Sequence, residues 1–278
     1  MAITQTGSIL YFAPNSGANT GTVSTTITVP GDAELVVVGV SSYHSVANYL
    51  TGGALTFTKG GGDTTMLEGS NLGDGDTSAF MAGLFYLVLP DTGTNKTLKW
   101  DWSGTDLNNY PPIFSVTFWK GIDTSDAVRS TSGAQNFAPP FTTGTLTAVT
   151  GDLTIAWTGF WCNGAEQTVD SWTNLTELAE VARAVDCDGA WATASPTGNG
   201  TVAVATTSIS SDGGIVAIVF KAAAAGGALS VNLAGRGGLA GAGGLAGVGG
   251  GLVAKPHDLI LPPPHQIRIP ERHIHASW

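Results

Sequence analysis

Leu35-Val-Val-Val-Gly-Val40 is the stretch on which the reading of the fold turns. It is apolar at every position but Gly39 and follows the turn-forming Pro30-Gly31-Asp32. A short continuous apolar run bounded by a turn suits a strand buried on both faces. Its neighbours have the same character. Val23 to Val29 (Val-Ser-Thr-Thr-Ile-Thr-Val) alternates and stops at that turn, and Leu55-Thr-Phe-Thr58 ends at Gly60-Gly-Gly-Asp63. Phe80 to Leu89 stops at Pro90-Asp91, Thr97-Leu-Lys-Trp-Asp-Trp102 alternates, and Ile113 to Trp119 follows Pro111-Pro112. The second half repeats the style, with Asp152 to Phe160 and Thr201 to Ala205 alternating and Ile215-Val-Ala-Ile-Val-Phe220 closing the body. Strands separated by turns, without a sustained helical period, predict an all-β chain: an antiparallel β-sandwich, jelly-roll-like. Leu175 to Val185 reads either as a helix, apolar at 175, 178, 181, 182 and 185, or as an alternating strand pair.

Composition supports two parts with different roles. Residues 1–225 carry 7 Lys/Arg against 19 Asp/Glu, a net of −12, whereas residues 226–278 carry 4 against 2, a net of +2. An acidic body argues against nucleic acid as a partner, and the mildly basic arm suits an acidic protein surface. The start, Met1-Ala-Ile-Thr-Gln-Thr-Gly, has neither the basic nor the apolar region of a secretory signal, and no long apolar run predicts membrane insertion. Cys162 and Cys187 make no disulfide framework; free buried thiols or a single bridge both remain open.

The expected organisation is a β body over 1–225, either one large unit or two small ones divided near 121–150, followed by 226–254 and 255–278. In 226–254 the hexapeptide Leu-Ala-Gly-x-Gly-Gly occurs three times in succession, beginning at Leu233, Leu239 and Leu245. A period of six places every Leu on one face of a strand or a threefold polyglycine-like helix. A single such segment cannot bury its Leu row alone. Beyond Leu252 come Pro256, Pro262-Pro263-Pro264 and Pro270, which favour extended chain. Between them lie the apolar grips Leu259-Ile-Leu261 and Ile267-Arg-Ile269, and the arm ends at Trp278. Apolar grips at strand spacing between prolines suit an arm that adds itself to a groove or sheet edge of another subunit. The expected docking residues are Leu233, Leu239, Leu245, Leu252, Leu259, Leu261, Ile267, Ile269 and Trp278.

Chemistry-bearing constellations are thin. A Ser-His-Asp triad would need His44, the one body histidine, beside Ser41, Ser42 or Ser45, and no Gly-x-Ser-x-Gly lies on a strand-to-helix turn. Asp101, Asp106, Glu166 and Asp170 supply carboxylates but no spacing that assigns a glycosidase pair. Asn71-Leu-Gly-Asp-Gly-Asp76 has calcium-loop composition without the calcium-loop spacing, and Asp186-Cys-Asp-Gly189 is weaker still. His273-x-His275 is half a zinc site at most, with exposed terminal histidines the plainer reading. No catalytic residue, metal or cofactor is expected. Trp100 and Trp102 share one strand face and could offer a sugar-stacking platform, although most Trp side chains in such a domain are core.

The Gly/Ala/Leu repeats behind a Thr/Gly-rich β body resemble the C-terminal parts of minor tail and fibre proteins of tailed bacteriophages. The body, with Thr28-Val-Pro-Gly-Asp-Ala-Glu-Leu-Val-Val-Val38 near its start and Ile215 to Lys221 at its close, is similar in style to virion surface β-sandwiches. That resemblance implies a virion structural protein assembled in the host cytoplasm, associated with tail, fibre or baseplate. It also implies other virion proteins as partners through 226–278, a homo-oligomer with a trimer foremost, and a host glycan as an additional contact. A head decoration protein whose arm threads between capsid subunits is the alternative within that class. A carbohydrate-binding or depolymerising domain is the alternative outside it.

Overall fold

The structure is a computed structural model and describes residues 2–12, 21–43, 54–72, 80–102, 113–136, 139–161, 168–183, 187–206 and 213–224. These fall in one compact unit, Met1–Ser230. They form strands without a helix among them. In chain order the first nine are β1 (Thr4–Phe12), β2 (Gly21–Val29), β3 (Leu35–Tyr43), β4 (Ala54–Lys59), β5 (Gly62–Thr65), β6 (Leu67–Leu72), β7 (Phe80–Val88), β8 (Gly93–Trp102) and β9 (Ile113–Lys120). The remaining eight are β10 (Val128–Asn136), β11 (Phe141–Thr142), β12 (Leu153–Trp161), β13 (Val169–Thr173), β14 (Thr176–Arg183), β15 (Cys187–Ala194), β16 (Ala203–Thr206) and β17 (Gly213–Phe220). Every pairing is antiparallel.

The strand orders contain a duplication. The first half makes a sheet β1-β9-β3-β7-β6 and a sheet β2-β8-β4-β5. The second half makes β10-β17-β12-β15-β14 and β11-β16-β13. Matching β1 with β10, β2 with β11, β3 with β12, β4 with β13, β6 with β14, β7 with β15, β8 with β16 and β9 with β17 superimposes one order on the other, with β5 alone unmatched. The break lies between Lys120 and Val128. The two five-stranded sheets meet in the middle of the molecule, where β7 lies over β17, β9 over β15, β6 over β10 and β3 over β12. Since β7 matches β15 and β9 matches β17, this exchange is what a twofold axis running along the strands between β3 and β12 produces.

Three apolar clusters fill the spaces between successive sheets. Val36, Val38, Leu87 and Phe118 face Ile27, Phe57, Leu98 and Trp100 across the first. Leu35, Val37, Leu84 and Trp119 face Ile155, Trp157, Trp191 and Ile218 across the second. Ala156, Ile215 and Val219 face Phe141 and Val204 across the third. Both faces of the two central sheets are therefore covered. This explains why Leu35 to Val40 and Ile215 to Phe220 are unbroken apolar runs in antiparallel strands, which ordinarily alternate.

Two tryptophans join the central sheets. Trp157 on β12 donates its indole N–H to Ser41 Oγ (2.8 Å) and Val40 O (3.1 Å) of β3. Trp191 on β15 donates to Ser115 Oγ (2.7 Å) on β9, and Ser115 donates onward to Leu10 O (3.1 Å). The two rings lie 4.8 Å apart between centroids. Gly39 makes room for Trp157: a Cβ there would stand 2.5 Å from its Cδ2.

The ends of the strands are tied by carboxylates. Each half carries Gly-Asp shortly before its third strand, Gly31-Asp32 and Gly151-Asp152. Asp32 accepts from Lys120 Nζ (2.6 Å) and from Thr6 (2.5 Å), whereas Asp152 pairs with Arg129 and accepts from Val149 N (2.9 Å). Asp91 accepts from Gly60 N (2.8 Å) and Gly61 N (2.9 Å), capping a turn whose φ angles, 66° and 78°, suit glycine. Lys120 hydrogen-bonded to Asp32, the two turn amides on Asp91, and Ser125 on Asp123 hold these three carboxyls below their ordinary 3.8. Burial pushes Asp152 up, but Arg129 and the backbone amides outweigh it and the net direction is down. Groups depressed in the folded state stabilise it above their unfolded value and lose that contribution as pH falls through the folded values. The thermal midpoint is expected to be flat near neutrality and to fall below the unfolded value of 3.8. Asp152→Asn should lower the neutral plateau and shallow the acid limb in a melting series across pH; an unchanged limb would contradict the role assigned to Asp152.

Candidate functional site

The structure separates the residues singled out from sequence into three groups. Leu233, Leu239, Leu245, Leu252, Leu259, Leu261, Ile267, Ile269 and Trp278 lie outside the described residues, as do His273 and His275. So do His44, Ser45, Asp74, Asp76, Asp106, Cys162, Glu166 and Asp186, each in a connection between strands. Antiparallel alternation nevertheless fixes where those connections start and finish. The described strand ends that flank the β1–β2, β3–β4, β6–β7 and β8–β9 junctions lie at one end of the first half's sheets, and those that flank their counterparts lie at one end of the second half's. The third group is described. Ser41 is buried on β3 as acceptor to Trp157, and Asp170 is exposed on β13.

Trp100 requires a correction. It is 2 % exposed and packs edge-on against Phe114, centroids 5.2 Å apart, so it offers no ring face to a sugar. The alternation Leu98, Trp100 places both on one face as read, but that face meets Val36 and Phe118 rather than water. The side chain of Trp102 is outside the described residues. Trp119, Trp157 and Trp191 are core as well, and Trp172 is half-buried with its N–H on Glu177 (3.0 Å). Among the described residues there is no group of three or more His, Cys, Asp or Glu able to hold a metal.

A different site appears at the other end of the second half. A groove of about 370 Å³ lies beneath the β15–β16 connection, floored by Leu146, Thr154 and Val202 and walled by Asn174, Thr197 and Asn199. Its origin is visible by comparison with the first half. Val36 pairs with Leu87 and Phe118, and in the matching register Thr154 pairs with Ala194 and Val219. Two bulky apolar side chains that pack the first half, Val36 and Leu87, are thus a Thr and an Ala in the second. The connection differs too. Four residues link β7 to β8, whereas eight, Ser195–Val202, link β15 to β16.

That longer connection is held in place. Leu146 N donates to Gly200 O (2.7 Å), Gly200 N to Leu146 O (3.0 Å), Ala148 N to Asn199 Oδ1 (2.9 Å) and Asn174 Nδ2 to Thr201 O (2.9 Å). Asn174 sits at a φ of 60°, which Asn tolerates better than most residues. Among the described residues that line the groove there is no Asp, Glu, Lys, Arg, His or Cys. It offers neutral hydroxyl, amide and backbone hydrogen bonds over a floor whose apolar part is Leu146 and Val202.

Sequence reading missed Thr154. The one signal was the likeness of Gly31-Asp32-Ala-Glu-Leu35-Val36 to Gly151-Asp152-Leu153-Thr154, which aligns the two halves and exposes the change from Val to Thr. Compared with known proteins, the chain matches no family model, no curated protein and no solved structure.

Proposed function

We propose that this chain is a non-enzymatic structural protein of a tailed-phage particle, placed on tail, fibre or baseplate and anchored by residues 226–278. The observation that carries the reading is the threefold Leu-Ala-Gly-x-Gly-Gly repeat from Leu233, followed by proline-spaced apolar grips, behind a compact all-β body. A Leu row on a single segment needs a partner to bury it, and a mildly basic arm complements acidic protein surfaces. The body reads as two jelly rolls in tandem. The orders β1-β9-β3-β7 and β2-β8-β4-β5 follow that pattern, and the second half repeats them without a counterpart to β5. Layered β bodies suit a load-carrying surface module that faces outward.

Deletion of 226–278 tests the reading. The truncated body should keep its melting transition, since it retains all the described strands, while its incorporation into particles falls to background in a complementation assay. Unchanged incorporation of a folded truncated protein would overturn the proposal.

A further inference from the structure

We infer that the groove beneath the β15–β16 connection is a binding site for a neutral, hydroxyl-bearing ligand of the pyranose class, with the Thr154 hydroxyl as its buried contact. The inference goes beyond the particle reading and does not depend on it. Its first support is an orphaned polar group. Among the described buried polar side chains, Ser41, Ser115, Thr117, Thr143, Asp152 and Thr158 each have a hydrogen-bond partner. Thr154 is 3 % exposed, lines the groove floor, and makes no side-chain hydrogen bond to any described residue. A buried hydroxyl without a partner costs about 1–3 kcal/mol. A Val of the same shape fills the matching place in the first half as Val36, so nothing in the fold requires the hydroxyl.

The second support is the lining. A charged ligand would be desolvated there without a counter-charge from the described lining, which holds no ionisable side chain. A wholly apolar ligand would leave Thr154 unsatisfied and cover Asn174, Thr197 and Asn199. A pyranose meets both demands, with hydroxyls for Thr154 and the walls and a C–H face for Leu146 and Val202. A volume of about 370 Å³ lies within the range of small-molecule sites. The third support is preformation: the hydrogen bonds from Leu146, Ala148 and Asn174 fix the connection before any ligand arrives.

The test uses the full chain and the methyl glycosides of glucose, galactose, mannose and N-acetylglucosamine, titrated while backbone amide shifts are followed by NMR. At least one glycoside should shift the amides of Gly198, Gly200 and Thr201. Thr154→Val should keep or raise the melting midpoint, since it removes an unpartnered hydroxyl, and weaken binding about tenfold, the worth of one buried hydrogen bond. Ala194→Leu, which restores the side chain found at Leu87, should close the groove and abolish the shifts, whereas Thr154→Ser should retain them. Absence of shifts with all four glycosides, or shifts that Thr154→Val and Ala194→Leu both leave unchanged, would overturn the assignment. Thr154 would then be satisfied by water alone. Neither result alters the outcome of the arm deletion, so the two proposals fail separately.

Discussion

Trp157→Ala is expected to destabilise the folded body by about 3–5 kcal/mol. The indole is fully buried between the two central sheets, and its N–H reaches across to Val40 and Ser41. Truncation removes a full indole from the seam and leaves a cavity that the facing strand cannot fill, because the residue opposite is Gly39. It also strips Ser41 Oγ, which is buried, of its donor. In a unit of this size the midpoint should fall by about 10 °C. Trp157→Phe should recover part of the packing but not the hydrogen bond. A midpoint for Trp157→Ala within about 2 °C of the parent would mean that the seam does not hold the halves together.

The converse change should be nearly as damaging. A Cβ on Gly39 would lie 2.5 Å from Cδ2, 2.8 Å from Cε3 and 2.9 Å from Cγ of Trp157. The ring is also packed closely against β15, where a Cβ built at Gly189 would lie 2.3 Å from Cζ2 and 2.5 Å from Cη2, which leaves it little room to shift. Gly39→Val is therefore expected to cost about 1–3 kcal/mol or more by overpacking. The telling measurement is the double-mutant cycle. With Trp157→Ala already present, Gly39→Val should cost little or become favourable, because its methyls enter the cavity. A coupling of about 1–3 kcal/mol is expected for residues in direct contact. Additive effects would show that the two residues do not oppose each other.

The exchange of bulk between Gly39 and Trp157 also explains what could and could not be read from sequence. Strand positions were legible because their signals are local: Pro30-Gly31-Asp32 ends one strand, and Leu35 to Val40 is apolar on both faces. The duplication was hidden because matching positions carry different residues, with Val36 against Thr154, Leu87 against Ala194 and Gly39 against Trp157. Where the halves face each other about the twofold axis, as Gly39 and Trp157 do, a large residue on one side calls for a small one on the other. Divergence at the seam is what lets the two sheets approach.

The ambiguity at Leu175 to Val185 has a different cause. The structure makes Thr176–Arg183 a strand, paired with β15, and its register shifts between Glu177 and Ala179. An extra residue at that point resets the alternation, so the apolar positions fall at spacings that imitate a helix. The misplacement of Trp100 reflects a limit of periodicity itself. A period of two says which residues share a face, but only the partner sheet decides whether that face meets protein or water. The groove was illegible for a related reason. It arises from a Thr and an Ala where the first half has Val and Leu, and their significance depends on a register that sequence does not display.

The way the chain leaves the body has a mechanical consequence. Ala223 N donates to Gly121 O (2.8 Å) directly after β17, and β17 is the second strand of its sheet, hydrogen-bonded to β10 on one side and β12 on the other along nearly its whole length. Tension applied beyond Ala224 along the axis of β17 would meet a strand zipped on both flanks. Extraction of β17 would require both ladders to shear together rather than peel open one bond at a time. A pull along that axis is therefore shared by two ladders in parallel.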